Sequence, residues 1–86
     1  MSTSVETLES TVTDVIRGGA LAKHISAVRV EPDVDAEGNE VLRVLIQMKK
    51  RPGDAIEEME RLLEKIESAV LAIDERYPSV RFLDAA

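Results

Sequence analysis

Residues 54–77, DAIEEMERLLEKIESAVLAIDERY, decide the architecture. Apolar side chains recur there at alternating spacings of three and four: Ile56, Met59, Leu63, Ile66, Val70, Ile73 and Tyr77. That rhythm returns to one face of a helix at every turn, so the spacing predicts one long amphipathic helix. Ala55, Leu62 and Ala69 broaden the stripe beyond a coiled-coil seam, and a stripe of that width packs on a sheet or on several helices. Asp54 is the expected N-cap, with Glu57 three residues on. Pro78 is the expected stop, ending the helix near Arg76 or Tyr77. Such a helix spans about 33–36 Å, which suits hairpin strands of about nine residues, roughly 30 Å long.

Upstream of it the period changes to two. Val28, Val30, Pro32 and Val34 alternate with Arg29, Glu31, Asp33 and Asp35, and Leu42, Val44, Ile46 and Met48 alternate with Val41, Arg43, Leu45 and Gln47. Each run reads as a strand with one apolar face, and Glu37-Gly38-Asn39 between them is turn chemistry. Pro32 has no amide to donate, which places the first strand at a sheet edge or puts a bulge there. Pairing Val34 with Leu42 sets Val30 opposite Ile46 and Val28 opposite Met48, with Asp33 facing Arg43 on the other side. A slip by one residue would turn one strand's apolar set to the wrong face. Lys49 to Gly53 is a breaker, and Ser79 to Leu83 is a short last strand with Val80 and Phe82 inward.

At the N-terminus, Thr3 and Glu6 match a capping box, and Val5, Leu8, Val12, Val15 and Ile16 follow at helical spacing. Gly18-Gly19 is expected to stop this helix through the left-handed conformation that Gly adopts cheaply. Residues 20–25 read either as an extra helical turn or as a connector, and the last two residues as a frayed end. The expected fold is α+β, in the order helix–strand–strand–helix–strand, over one domain spanning residues 1–86. A right-handed crossover would lay the third strand parallel to the second. The result is a three-stranded mixed sheet with two helices on one face, a ferredoxin-like variant.

The totals bound the function. A chain of 86 residues hides only about 60–65% of its unfolded surface and has a stability of about 4–13 kcal/mol, so association with a partner would help it. Tyr77 and Phe82 are its two aromatic residues, which leaves the core to aliphatic side chains. A net charge of −6 argues against nucleic acid as a partner, because that contact needs a basic footprint. With no Cys there is no disulfide, thiolate nucleophile or zinc–thiolate site, which fits a reducing cytoplasm. The first residues lack a basic stretch followed by an apolar run, so no signal peptide is expected. No apolar run is long enough to span a membrane.

Motifs for chemistry are sparse, and neither a catalytic residue nor a cofactor is expected. Asp33-Val34-Asp35-Ala36-Glu37-Gly38 has the acidic alternation and Gly of the first half of a calcium loop. Val44 stands where the bidentate Glu belongs, and the flanks are strands, so a solvated hairpin tip is the favoured reading. His24 is the sole histidine and has no ligand or base partner nearby in sequence. Scattered Ser residues with one His make no triad. Lys49-Lys50-Arg51 is too short for a nucleic-acid patch. Glu57, Glu58, Glu60, Glu64 and Glu67 read as a soluble helix face, with Glu57 and Arg61 as an ion pair four residues apart.

The surface that stands out is the reverse of the sheet. If Val28, Val30, Val44, Ile46, Val80 and Phe82 face the helices, then Arg29, Val41, Arg43, Leu45, Arg81 and Leu83 face away. Two helices cover only one side. A bare face mixing Arg with aliphatics has the composition of an interface, although antiparallel sheets also leave one face wet. Leu71, off the main helical stripe, is a candidate to extend a contact patch, and the three arginines are a candidate anion site.

The pattern over residues 25–83, above all a helix ending in Tyr77-Pro78 before Val80-Arg81-Phe82, resembles the cytosolic C-terminal domain of cation diffusion facilitator transporters. The resemblance implies a helix–strand–strand–helix–strand module that dimerises and, in that family, senses metal. The transmembrane half has no counterpart here, and His24 stands alone, so no metal ligand is carried over to this chain. The expectation is a cytoplasmic, non-enzymatic interaction or regulatory module that is a homo-oligomer or binds another protein through the open face. A metal- or anion-sensing domain and an antitoxin-like neutralising partner are the alternatives.

Overall fold

The structure, a computed structural model, describes residues 3–49 and 55–84. Helix α1 (Val5–Arg17) is followed by a single 3-10 turn (Ala22–His24), strand β1 (Ile25–Val34), strand β2 (Glu40–Met48), helix α2 (Ile56–Leu71) and strand β3 (Tyr77–Leu83). The sheet runs in the order β1-β2-β3, with β1 antiparallel and β3 parallel to the central β2. The α+β order read from the sequence is the order observed.

One core joins both helices to one face of the sheet. Leu8, Val12 and Ile16 of α1 and Leu62, Ile66 and Val70 of α2 pack with Val30, Leu42, Val44, Ile46 and Met48. Val28, Val80 and Phe82 close its margins half-buried. Each sheet residue in this set is two positions from the next on its own strand, so the alternation alone selects the buried face.

The hairpin register differs from the expected pairing by two residues. Val34 pairs with Glu40, Pro32 with Leu42, Val30 with Val44 and Val28 with Ile46. The turn explains the shift. Asp35 donates its amide to the Asn39 carbonyl (2.9 Å), and Asp35 Oδ1 accepts the amides of Glu37 and Asn39 (2.9 Å each). Gly38, at φ +88°, supplies the one left-handed residue this closure needs. Those bonds hold the Asp35 carboxyl below its usual range, the Asn39 amide contributing most. A shift of two leaves every side chain on its expected face. Asp33 now faces Val41, yet its carboxylate still meets Arg43 Nε diagonally at 2.6 Å. β1 is an edge strand, as Pro32 requires, but its bulge lies near Ser26.

Helix α2 is shorter than its apolar rhythm. It ends at Leu71, and Ile73 (41% exposed) and Tyr77 (56%) leave the stripe. Ile56, at the first turn, is 70% exposed, and the buried line runs through Leu62, Ile66 and Val70. The cause is tertiary. Asp74 is buried just past the helix, where its carboxylate accepts the amides of Thr3 and Arg76 (2.9 Å each) and the Arg76 guanidinium (2.8 and 3.0 Å). Arg76 also donates to the Thr3 carbonyl (3.1 Å). This clasp turns the chain before Pro78 is reached, and Pro78 sits buried as the second residue of β3. The N-cap of α2 is Ala55, without a side-chain cap; Asp54 lies outside the described residues.

Thr3 is spent on that clasp, so the N-cap of α1 passes to Ser4, whose Oγ accepts the Thr7 amide at 3.2 Å. Ser4→Ala is expected to cost about 1 kcal/mol, measured as a lower urea midpoint at unchanged slope. The end of α1 also departs from expectation: Gly18 is right-handed (φ −80°, ψ −3°), and the Gly19 amide closes the turn on the Ile16 carbonyl (3.0 Å).

Candidate functional site

The strand registers turn the uncovered side of the sheet into rows. Arg29, Leu45 and Arg81 form one row, with Glu31, Arg43 and Ser79 beside it on one flank and Ala27, Gln47 and Leu83 on the other. Val41 lies beyond Arg43 on β2. All six residues singled out in the sequence, Arg29, Val41, Arg43, Leu45, Arg81 and Leu83, therefore stand on the face away from the helices. Leu45 and Val41 are half-buried by their neighbours, and Leu83 is exposed.

The three arginines are not equivalent. Arg43 is held by Asp33, and Arg29 NH2 lies 3.6 Å from Glu31 Oε2. Arg81 is exposed and forms no ion pair among the described residues. Arg29 and Arg81 flank Leu45 from the two edge strands, about 10 Å apart across β2. The row thus presents an aliphatic centre between two guanidiniums, one of them uncommitted. Gln47 ties the margin, donating to the carbonyls of Leu83 (3.3 Å) and Asp84 (3.1 Å). Leu71 does not extend this patch: it is on α2, on the opposite side of the sheet.

Other candidates do not assemble. At the hairpin tip, Asp35 is occupied by turn amides and by Asn39, and Asp33 by Arg43 and the Val34 amide, so their oxygens do not converge on a common point. Among the described residues no three His, Asp or Glu side chains gather as a metal-holding group. His24 ends the 3-10 turn, and its carbonyl accepts the Lys49 amide at 2.8 Å. Glu57 and Arg61 meet at 3.7 Å as expected, both exposed. A cleft of about 210 Å³ separates the end of α1 from α2, between Val15, Leu21 and Leu62 on its apolar side and Arg61 and Lys65 on its polar side. No helix among the described residues is long and apolar enough to cross a membrane.

Two polar features escaped the sequence reading. The Asp74–Arg76–Thr3 clasp had one visible signal: α2 has no basic residue in its last turn, and Asp74 and Glu75 follow it, the wrong charge for a helix C-terminus. A carboxylate placed there needs a partner. The other is Tyr77, whose hydroxyl donates to Glu67 Oε2 at 2.8 Å; that carboxylate holds the phenol above its ordinary pKa. Comparison of the chain with family models, with curated proteins and with solved structures found no match.

Proposed function

We propose that this chain is a small non-enzymatic interaction or regulatory module whose contact surface is the open sheet face, the partner being a second copy or another protein. The observation that carries this reading is the Arg29–Leu45–Arg81 row on a side of the sheet that neither helix covers. Apolar surface between guanidiniums is the composition that interfaces favour, because Arg brings packing area as well as charge. The helix layer carries Glu57, Glu60 and Glu64 outward, so the two sides of the molecule differ in chemistry.

Leu45→Glu tests it. Leu45 is half-buried on the central strand but outside the core, so the change is expected to leave the fold intact at a cost of about 1 kcal/mol, while lowering the molar mass seen by light scattering if copies meet on this face. For a different protein as partner, the readout is its loss from material co-purified with the native chain when Leu45 carries the charge. An unchanged mass and an unchanged co-purifying set together would reject the face as a contact surface. Anion sensing is the second reading, favoured by the uncommitted Arg81. Titration calorimetry with phosphate on the wild type and on Arg81→Ala separates it, since a saturable heat lost in the variant belongs to that reading alone.

A further inference from the structure

The two edges of the sheet are finished differently. On β1 the outward amide of Val30 is taken by Glu9 Oε2 of α1 at 2.9 Å, Pro32 two residues on has no amide, and the Val34 amide bonds its neighbour Asp33 Oδ1 at 2.7 Å. Successive outward positions of that edge are therefore closed to another strand, the usual way of blocking edge-to-edge growth. On β3, alternate residues also turn their backbone groups outward; Pro78, at the start of the strand, has no amide, and beyond it, among the described residues, no side chain caps an outer amide. The strand carries a single charge, Arg81.

The flank of α2 beside this edge mixes aliphatic side chains with Glu60 and Glu67. The Tyr77–Glu67 bond fixes which flank lies on the β3 side, and the cleft that Arg61 and Lys65 share with α1 fixes the opposite one. At 100° per residue, Ile56, Leu63 and Leu71 fall on the Glu67 side. Ile56 is 70% exposed, Leu71 48% and Leu63 half-buried. An open strand edge and a helix flank that exposes Ile56 and Leu71 are thus adjacent, and both are continuous with the covered core.

We infer that this surface is a two-fold contact between copies of the chain, β3 pairing antiparallel with β3 of a second copy. The sequence of β3 is self-complementary about Val80. Centring there pairs all seven residues: Val80 with Val80, Phe82 with Pro78, Arg81 with Ser79 and Leu83 with Tyr77. Centring on Arg81 would set two guanidiniums opposite each other, which is unfavourable. The same axis brings the two α2 helices together antiparallel, Leu63 against Leu63 and Ile56 against Leu71. The sheet becomes six-stranded, ends on the two blocked β1 edges and stops growing. A stable contact takes about 800 Å² from each copy, roughly a seventh of the 5634 Å² this chain exposes. The open faces join side by side and stay free, so this contact is separate from the surface assigned to the partner above. Glu60 and Glu67 are the like charges that approach across the axis, and added salt therefore tightens the association.

Sedimentation equilibrium and a thiol cross-link test it. The wild type is expected to be a dimer whose association is tightened by salt. The double variant Ile56→Glu with Leu71→Glu, both at exposed positions, is expected to fold and to associate at least about a hundredfold more weakly. In this cysteine-free chain, Val80→Cys puts the thiol on the axis and is expected to give a disulfide-linked dimer on mild oxidation, whereas Leu45→Cys is not. A wild type that stays monomeric at the highest soluble concentration overturns the inference. So does a dimer that survives the double variant, or one that cross-links through Leu45→Cys instead.

Discussion

Ile66→Asp is expected to abolish cooperative folding. Ile66 is fully buried at the middle of α2, among the side chains that join both helices to the sheet. Removing its branched side chain forfeits about 2–5 kcal/mol of burial and packing. The aspartate then has no partner in an aliphatic core, and burying its polar group unpaired costs several kcal/mol more. A chain of this size has only about 4–13 kcal/mol to lose. Far-UV circular dichroism should show loss of the helical signal, and the proton–nitrogen NMR spectrum should collapse toward random-coil shifts. Native dispersion in that spectrum would mean that α2 does not seal the core through this residue.

Arg76→Ala is the second large effect. The side chain of Asp74 is wholly buried, and that of Arg76 is 12% exposed. Removing the guanidinium strands a carboxylate that keeps only the amides of Thr3 and Arg76, and breaking a buried pair in this way costs about 3 kcal/mol. The variant also releases the Thr3 carbonyl and loosens the attachment of the N-terminus to the α2–β3 turn. Its urea midpoint should fall well below that of Ser4→Ala. The clasp also sets an acid limit. Hydrogen bonds from Arg76 hold the Asp74 carboxyl well below its ordinary value of 3.8 in the folded protein. A carboxyl with a depressed folded pKa binds fewer protons when folded than when unfolded. The stability it contributes is therefore complete above the unfolded value and is lost as pH falls from about 4 toward the folded one. Asp74→Asn should be less stable than the wild type at neutral pH, with a flatter decline below pH 4. Parallel declines would remove Asp74 from the acid response.

The hairpin shows how far a pattern can be trusted. Alternation has a period of two, so it distinguishes faces and is blind to even slips. That is why Val30, Val44 and Ile46 are buried where expected, although the pairing moved by two residues. The deciding element was Asp35, whose carboxylate gathers the turn amides and pulls Val34 onto Glu40. The alternation had set Asp35 on the first strand, with the turn at Glu37-Gly38-Asn39, and no spacing shows which amides its carboxylate gathers. The same logic places Arg29, Arg43, Leu45 and Arg81 correctly on the open face while leaving their rows unreadable, because rows depend on register.

The long helix failed in another way. Ile73 and Tyr77 continue the three–four spacing, so local periodicity runs past the true end at Leu71. What stops the helix is a contact between Asp74 and Thr3, which lie at opposite ends of the chain. A window of neighbouring residues carries no information about such a pair. The same contact took Thr3 out of its expected capping role and passed that role to Ser4.

By itself, the sequence determined the order of elements, the aliphatic core and the side of the sheet left bare, because these follow from which residues avoid water at which period. Only the tertiary structure decided where α2 ends, which residues stand opposite one another, and that one sheet edge is sealed while the other is open. Those outcomes rest on single polar groups finding partners far along the chain, Asp74 with Thr3 and Glu9 with Val30, and a buried hydrogen bond is specified by geometry that no spacing encodes.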